Sequence, residues 1–276
     1  ISIRCVLLAS QAIGKSKIYN LLESEDVMST LKSIKKLGIK YKKFKNFYEI
    51  YGYGLNGFNT NKKVNLNAGN SGTFARLILG LLVNSEKKIK LTGDKSLSKR
   101  DFSRVTEPIK MFGANIYSNN KSLPVNIIGS KFLRPIKYFE NLGSAQCKSA
   151  VMFAALKTPG ITKIIAKKSR NHSELLFKNL NIPIRITKKK NYDYIEINGL
   201  KNFKGFDYIV PGDISSCSFF IVLTLLSHNS KICLKNININ NTRIGIVKIL
   251  KKMNANIYFR NKKNYKGELI GDIIVK

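Results

Sequence analysis

Tryptophan is absent from the 276 residues, histidine occurs only twice, and cysteine only four times. The cysteines, Cys5, Cys147, Cys217 and Cys233, have no CxxC spacing, so nothing suggests a disulfide framework or a thiolate zinc site. Three of them sit in apolar helical runs or at their starts, where a free thiol packs as a small hydrophobe. A reducing cytosol fits this usage. His172 and His228 are too few and too far apart for a histidine-based metal site. Long hydrophobic runs are missing too: the longest of note, 219–226, is far too short to span a bilayer. Acidic residues are scarce, with 16 Asp and Glu against 49 Lys and Arg. Arginine is scarce among the bases, at nine against 40 Lys.

What is present is a globular composition. At 43% hydrophobic the chain can bury a core, and its length suits one large or two ordinary domains. The net charge of +33 comes from lysines scattered along the whole chain, with Asn and Ile also abundant. That pattern describes a solvated basic surface better than a nucleic-acid groove, and no aromatic-rich basic motif of an RNA-binding module is present. The arginines are more selective. Arg4, Arg76, Arg100, Arg104, Arg170 and Arg243 all fall near helix starts or the polar loops before them. Only Arg among the bases offers a planar bidentate fork for phosphate or carboxylate.

Residues 65–82, NLNAGNSGTFARLILGLL, change character at Gly72. A small, polar loop feeds an apolar helical run there. Unpaired N–H groups and the helix dipole make such a junction an anion site, to which Arg76 one turn on can add a guanidinium. The junction recurs. Apolar helices are expected over 5–12, 71–82, 145–156 and 215–226, the last three preceded by AGNSG, LGSAQ and PGDISS. A second, amphipathic helix follows in each unit, with apolar residues three and four apart. Each of these ends at Gly38, Gly113, Asn181 or Asn254, residues suited to a left-handed C-cap. Short strands intervene. The unit is thus about seventy residues long, an α/β (α+β) repeat of βαβαββ type with helices packed on sheets. Three units make a domain over 1–208, and 209–276 open a second, incomplete one, the boundary falling near 206–211.

The segments LNAGNSGTFARLILGLL, TGDKSLSKRDFSRVTEPIKMFGANI, LGSAQCKSAVMFAALKTPGIT, VPGDISSCSFFIVLTLL and NNTRIGIVKILKKMNANI closely resemble the 5-enolpyruvylshikimate-3-phosphate synthases. The resemblance is collinear over the chain and implies the enolpyruvate-transferase architecture of two three-unit domains. It implies transfer of the enolpyruvyl group of phosphoenolpyruvate to the 5-hydroxyl of shikimate 3-phosphate, with release of phosphate. It implies no metal or organic cofactor, two small anionic substrates, and a cytoplasmic monomer with no nucleic-acid or membrane partner. Position by position, Arg4, Ser144, Ala145, Gln146 and Arg170 resemble shikimate-3-phosphate contacts. Gly72, Arg100 and Gln146 resemble phosphoenolpyruvate contacts, and Arg76 a supporting residue. Asp213 is read as an N-cap or hinge-side residue, His172 as structural, and Lys148 and Arg104 as salt-bridged or solvent-facing.

The resemblance also implies what lies elsewhere: a Lys-Ser element just before ISIR and roughly another third of the chain after residue 276. The catalytic lysine and the acid–base carboxylates would be there, so the catalytic residues are unknown within these 276. A chain of only this length is expected not to turn over. The sister transferase acting on UDP-N-acetylglucosamine uses a mobile-loop cysteine in the region matching 92–104. No cysteine lies between Cys5 and Cys147. A basic nucleic-acid module and a non-catalytic remnant are the readings of other classes.

Overall fold

In the computed structural model, which describes residues 1–276, the expected repeat is present. The first unit runs α1 (Ser2–Ala9), β1 (Ile13–Tyr19), α2 (Glu25–Lys36), β2 (Lys40–Lys43) and β3 (Phe47–Tyr53). The second runs β4 (Val64–Asn67), α3 (Gly72–Leu81), β5 (Ile89–Thr92), a short α4 (Lys95–Ser98), α5 (Ser103–Met111), β6 (Asn115–Ser118) and β7 (Val125–Ile128). The third runs β8 (Lys137–Glu140), α6 (Ala145–Leu156), β9 (Ile161–Lys167), α7 (His172–Asn179), β10 (Ile184–Lys188) and β11 (Tyr192–Asn198). After β12 (Asp207–Ile209) comes the fourth: α8 (Ile214–Leu226), β13 (Ile232–Asn238), α9 (Gly245–Lys252), β14 (Ile257–Tyr265) and β15 (Glu268–Val275). No helix is long and apolar enough to cross a membrane.

The caps obey local chemistry. Gly38, Gly113, Asn181 and Asn254 all have positive φ, between +54° and +110°, as a left-handed helix stop requires. The first helix differs from expectation: it starts at Ser2 and ends at Ala9, not 5–12. Ser10, Gln11 and Ala12 are fully buried but not helical. Burial therefore continues the apolar run past the helix end, which hides that end in the sequence.

The sheets share one rule. Orders are β4-β5-β7-β6 and β8-β9-β11-β10, the leading strand parallel to the one after the apolar helix and the rest antiparallel. In the first unit the leading place is taken by β12, giving β12-β1-β3-β2. It runs parallel to β1, with Lys17 opposite Asp207 and Tyr19 opposite Ile209. The fourth sheet has three strands, β13-β15-β14, and its leading place holds only a bridge between Gly212 and Ile237.

The chain divides into two compact units, Ile1–Ser169 with Leu180–Ile209, and Arg170–Asn179 with Val210–Lys276. In the first, α3 and α6 are buried almost all round. They cross at Gly80, where an added Cβ would lie 2.1 Å from the Ala150 carbonyl oxygen. Backbone therefore packs on backbone, and the alanines Ala150, Ala154 and Ala155 of α6 keep its surface low. In the second unit, Ile214, Cys217 and Ile221 of α8 pack with Ile237, Val247, Ile257 and Ile273. Another face of α8 is bare: Phe219, Phe220, Leu223 and Leu226 are exposed.

A buried polar cluster ties α7 into this second unit. His172 Nδ1 lies 2.5 Å from Glu268 Oε1, and Asn238 and Asn240 each donate to Glu268 Oε2 at 2.9 and 3.0 Å. Asn240 also donates to Asn171 at 2.9 Å. Burial raises the Glu268 pKa, but the His172, Asn240 and Asn238 contacts outweigh it and hold the carboxyl below its ordinary 4.5.

Two outcomes are expected. Gly80→Ala should force α3 and α6 apart and cost on the order of 1–3 kcal/mol by urea unfolding; unchanged stability would mean the crossing is looser than described. Because the folded Glu268 pKa is depressed, its contribution is complete above the unfolded value and is lost as pH falls through the folded one. The second unit's urea midpoint should therefore drop more steeply in wild type than in Glu268→Gln between about pH 5 and pH 3. Parallel slopes would count against the pair.

Candidate functional site

The heads of α3 and α6 bring the predicted residues of the first unit together. Ser71 caps α3, its hydroxyl accepting from Phe74 N at 3.2 Å. Gly72 N donates to the Asn70 carbonyl and Ala75 N to the Ser71 carbonyl. Of the first-turn amides only Thr73 N is left uncommitted, so the bare helix-end anion site expected from the loop is largely used up internally. The positive charge comes from guanidinium groups instead.

Arg76 is their hub. Its Nη1 donates to the Gly72 carbonyl at 3.2 Å and to Gln146 Oε1 at 3.1 Å, while Nη2 donates to the Asp101 carbonyl at 3.4 Å. The guanidinium carbon lies 4.8 Å from the Phe102 ring centroid. Burial, then the Arg100 and Arg104 cations, lower the Arg76 pKa against the opposing pull of Cys147 and Asp101. The Arg76 guanidinium therefore lies in the field of two other arginines. Two of the three, Arg76 and Arg100, converge at Gly72: an added Cβ would lie 2.8 Å from Arg76 Nη1 and 3.2 Å from Arg100 Nη1.

Arg100 is exposed and placed by a local device. Asp94 caps α4, accepting from Leu97 N at 2.7 Å, and takes a 2.6 Å hydrogen bond from the Asn70 side chain. The Asn70 bond and then the Leu97 amide hold the Asp94 carboxyl below its ordinary range. The α4 turn is thus pinned to the loop before Gly72.

Gln146 joins the two helices. Its amide nitrogen donates to Thr73 Oγ1 at 3.0 Å while its oxygen accepts from Arg76. Ser144 caps α6, accepting from Cys147 N at 3.2 Å, and the Ala145 and Gln146 amides make no hydrogen bond within the chain. This head, unlike that of α3, keeps two donors for a ligand. Burial raises the Cys147 thiol pKa despite the Ser144 hydroxyl and Arg76 beside it, which makes a poor nucleophile at neutral pH.

Other predicted residues are placed as follows. Arg4 is buried on α1 and donates to Ser149 of α6 at 3.2 Å. Lys148 is fully buried and does not face solvent; Arg104 is exposed beside Arg76. Arg170 belongs to the second unit, exposed just ahead of α7. Partial desolvation and the Arg243 cation lower its pKa, opposed by Asp213. Asp213 stands at the α8 N-cap but makes no capping bond. It pairs with Arg243 at 2.8 Å. Sequence reasoning missed the Asn70–Asp94 and Thr73–Gln146 links, because both join residues far apart in the chain.

Comparison with known proteins follows the geometry. A family profile described as EPSP synthase (3-phosphoshikimate 1-carboxyvinyltransferase) matches residues 1–268. A 3-phosphoshikimate 1-carboxyvinyltransferase from Streptococcus mutans is 39% identical over 291 residues, covering 99% of this chain and 67% of that protein. One from Oenococcus oeni is 42% identical over 277 residues, covering 100% and 62%. An EPSP synthase structure from Acinetobacter baumannii superposes with a TM-score of 0.87 at 32% identity, covering 100% of this chain and 62% of that one. The chain thus spans about two thirds or less of the length of these relatives.

Gly72→Ala is expected to push the Arg76 and Arg100 guanidinium groups off the loop. Binding of inorganic phosphate at low salt should weaken roughly fivefold, about 1 kcal/mol. Unchanged affinity by calorimetry would place the anion elsewhere.

Proposed function

The chain belongs to the EPSP synthase family, and we propose that it forms part of a 3-phosphoshikimate 1-carboxyvinyltransferase. The whole protein transfers the enolpyruvyl group of phosphoenolpyruvate to the 5-hydroxyl of shikimate 3-phosphate, in aromatic amino acid biosynthesis. The observation that carries this reading is the convergence of Arg76 and Arg100 on Gly72, with Gln146 bridging to the head of α6.

In this reading phosphoenolpyruvate lies along Gly72, its anionic groups met by Arg100 and the Gln146 amide. Arg76 stays on protein acceptors and orients Gln146, which fits a positioning role. The phosphate of shikimate 3-phosphate sits on the Ser144 hydroxyl and the free Ala145 and Gln146 amides, with Arg4 behind it. These groups bind, orient and screen negative charge as phosphate leaves. Proton transfer at the enol carbon and the 5-hydroxyl falls to groups outside these residues.

Residues 1–208 constitute one three-unit domain and 209–276 the start of its partner. The bare apolar face of α8 supports this, because α3 and α6, its counterparts, are buried on all sides. The whole protein acts as a cytoplasmic monomer. The sister transferase acting on UDP-N-acetylglucosamine is disfavoured by the 92–104 segment, which presents Arg100 and no thiol.

Arg100→Lys in the whole protein should raise the phosphoenolpyruvate Kd about tenfold or more, since a point charge replaces a bidentate fork. Shikimate 3-phosphate affinity should change little. An unaltered phosphoenolpyruvate Kd, or salt-sensitive RNA binding with no substrate binding, would overturn the assignment.

A further inference from the structure

The other end of α6 holds a second arrangement that the substrate reading leaves unused. Lys157 follows the last turn of the helix and is 3% exposed. Its ammonium has two partners: the Leu55 carbonyl, to which it donates, and the Phe58 ring, 5.2 Å from nitrogen to centroid. An ammonium carries three donors, so two are left over. Burial alone pulls the Lys157 pKa from 10.5 down to about 7. A buried cation with no counter-anion is costly, and no carboxylate answers this one.

Lys157 lines a cavity of about 470 Å³, within the ordinary range for small-molecule sites. Its polar wall comprises Asn56, Thr60, Asn84 and Ser130, and its apolar wall includes Phe58 and Leu133. The other titratable groups facing it are Glu86, on the turn between α3 and β5, and Lys131, on the loop after β7. None of these residues belongs to the cluster around Gly72 and Gln146. At 1.5 Å per residue, α6 separates the two places by roughly 17 Å.

We propose that this cavity is a binding site for a small organic anion, with Lys157 as the cation that receives it and the Phe58–Leu133 side as the seat for the ligand's apolar body. The unused donors, the amide and hydroxyl wall and the absence of a paired carboxylate at Lys157 all point to a carboxylate-bearing ligand with a compact ring. Binding is linked to protonation. Without ligand, Lys157 loses its proton near pH 7; an anion beside it favours the charged form. Complex formation above pH 7 therefore takes up a proton, and affinity falls as pH rises.

Benzoate is a suitable probe, titrated calorimetrically into the chain at pH 8 in two buffers of different ionisation enthalpy. The expected result is one site with uptake of close to one proton per benzoate, weaker at pH 9 than at pH 7. Lys157→Met should weaken binding at least tenfold and abolish the proton uptake. Lys131→Glu, at an exposed position that leaves the fold intact, should weaken binding several-fold while leaving the uptake in place. Inorganic phosphate should bind less well, having no apolar body. No benzoate binding at millimolar concentration, or binding without proton uptake that Lys131→Glu leaves unchanged, would overturn the proposal.

Discussion

Everything in the candidate site rests on how closely α3 and α6 approach each other. Gly80 has no side chain, and the Ala150 carbonyl occupies the space where a Cβ would be. This contact sets the distance between two helix heads. Only at that distance can Gln146 of one helix hydrogen-bond to both Thr73 and Arg76 of the other. Those bonds hold Arg76 against the Gly72 carbonyl, beside Arg100, which the Asn70–Asp94 bond places. A steric fact in the middle of two helices thus becomes an electrostatic one at their ends.

The two heads look alike in sequence but differ in the donors they leave open. Both are capped by a serine whose hydroxyl accepts from the amide three residues on. At α3 the loop consumes its own amides, and the charge is delivered by side chains. At α6 two amides stay open. One head is suited to a ligand clasped by arginine forks, the other to a phosphate seated on backbone donors. In the proposed reading two anions lie side by side, one met by guanidinium groups and the other by backbone donors.

Legibility in the sequence followed range. The four-fold repeat, the helix types and the left-handed caps at Gly38, Gly113, Asn181 and Asn254 were readable, because each depends on residues within one or two turns. The recurrence of polar loops ahead of apolar helices marked Gly72 and Ser144 as special. The end of α1 was not readable, since burial at Ser10, Gln11 and Ala12 continues where helix geometry stops. Nor were the Asn70 bond to Asp94 or the buried His172–Glu268 pair. Each of these is decided by where a distant segment arrives. The depressed Lys157 pKa belongs with them: a lysine after a helix resembles any C-terminal cation until its surroundings are known.

The strand β12 has a consequence for how the molecule comes into being. It completes the sheet begun by β1, yet Phe206 N reaches Ser16 Oγ across 190 residues of chain. Of the three units in chain order, the earliest is therefore the last to have its sheet completed. The second and third units can close their sheets from neighbouring strands, whereas the first waits with the edge of β1 open until residue 209 has been made. An open edge is a place for wrong pairing, and closing so long a loop is slow. The price of joining the ends of a domain through one shared strand is a stretch of synthesis in which its oldest part is its least secure.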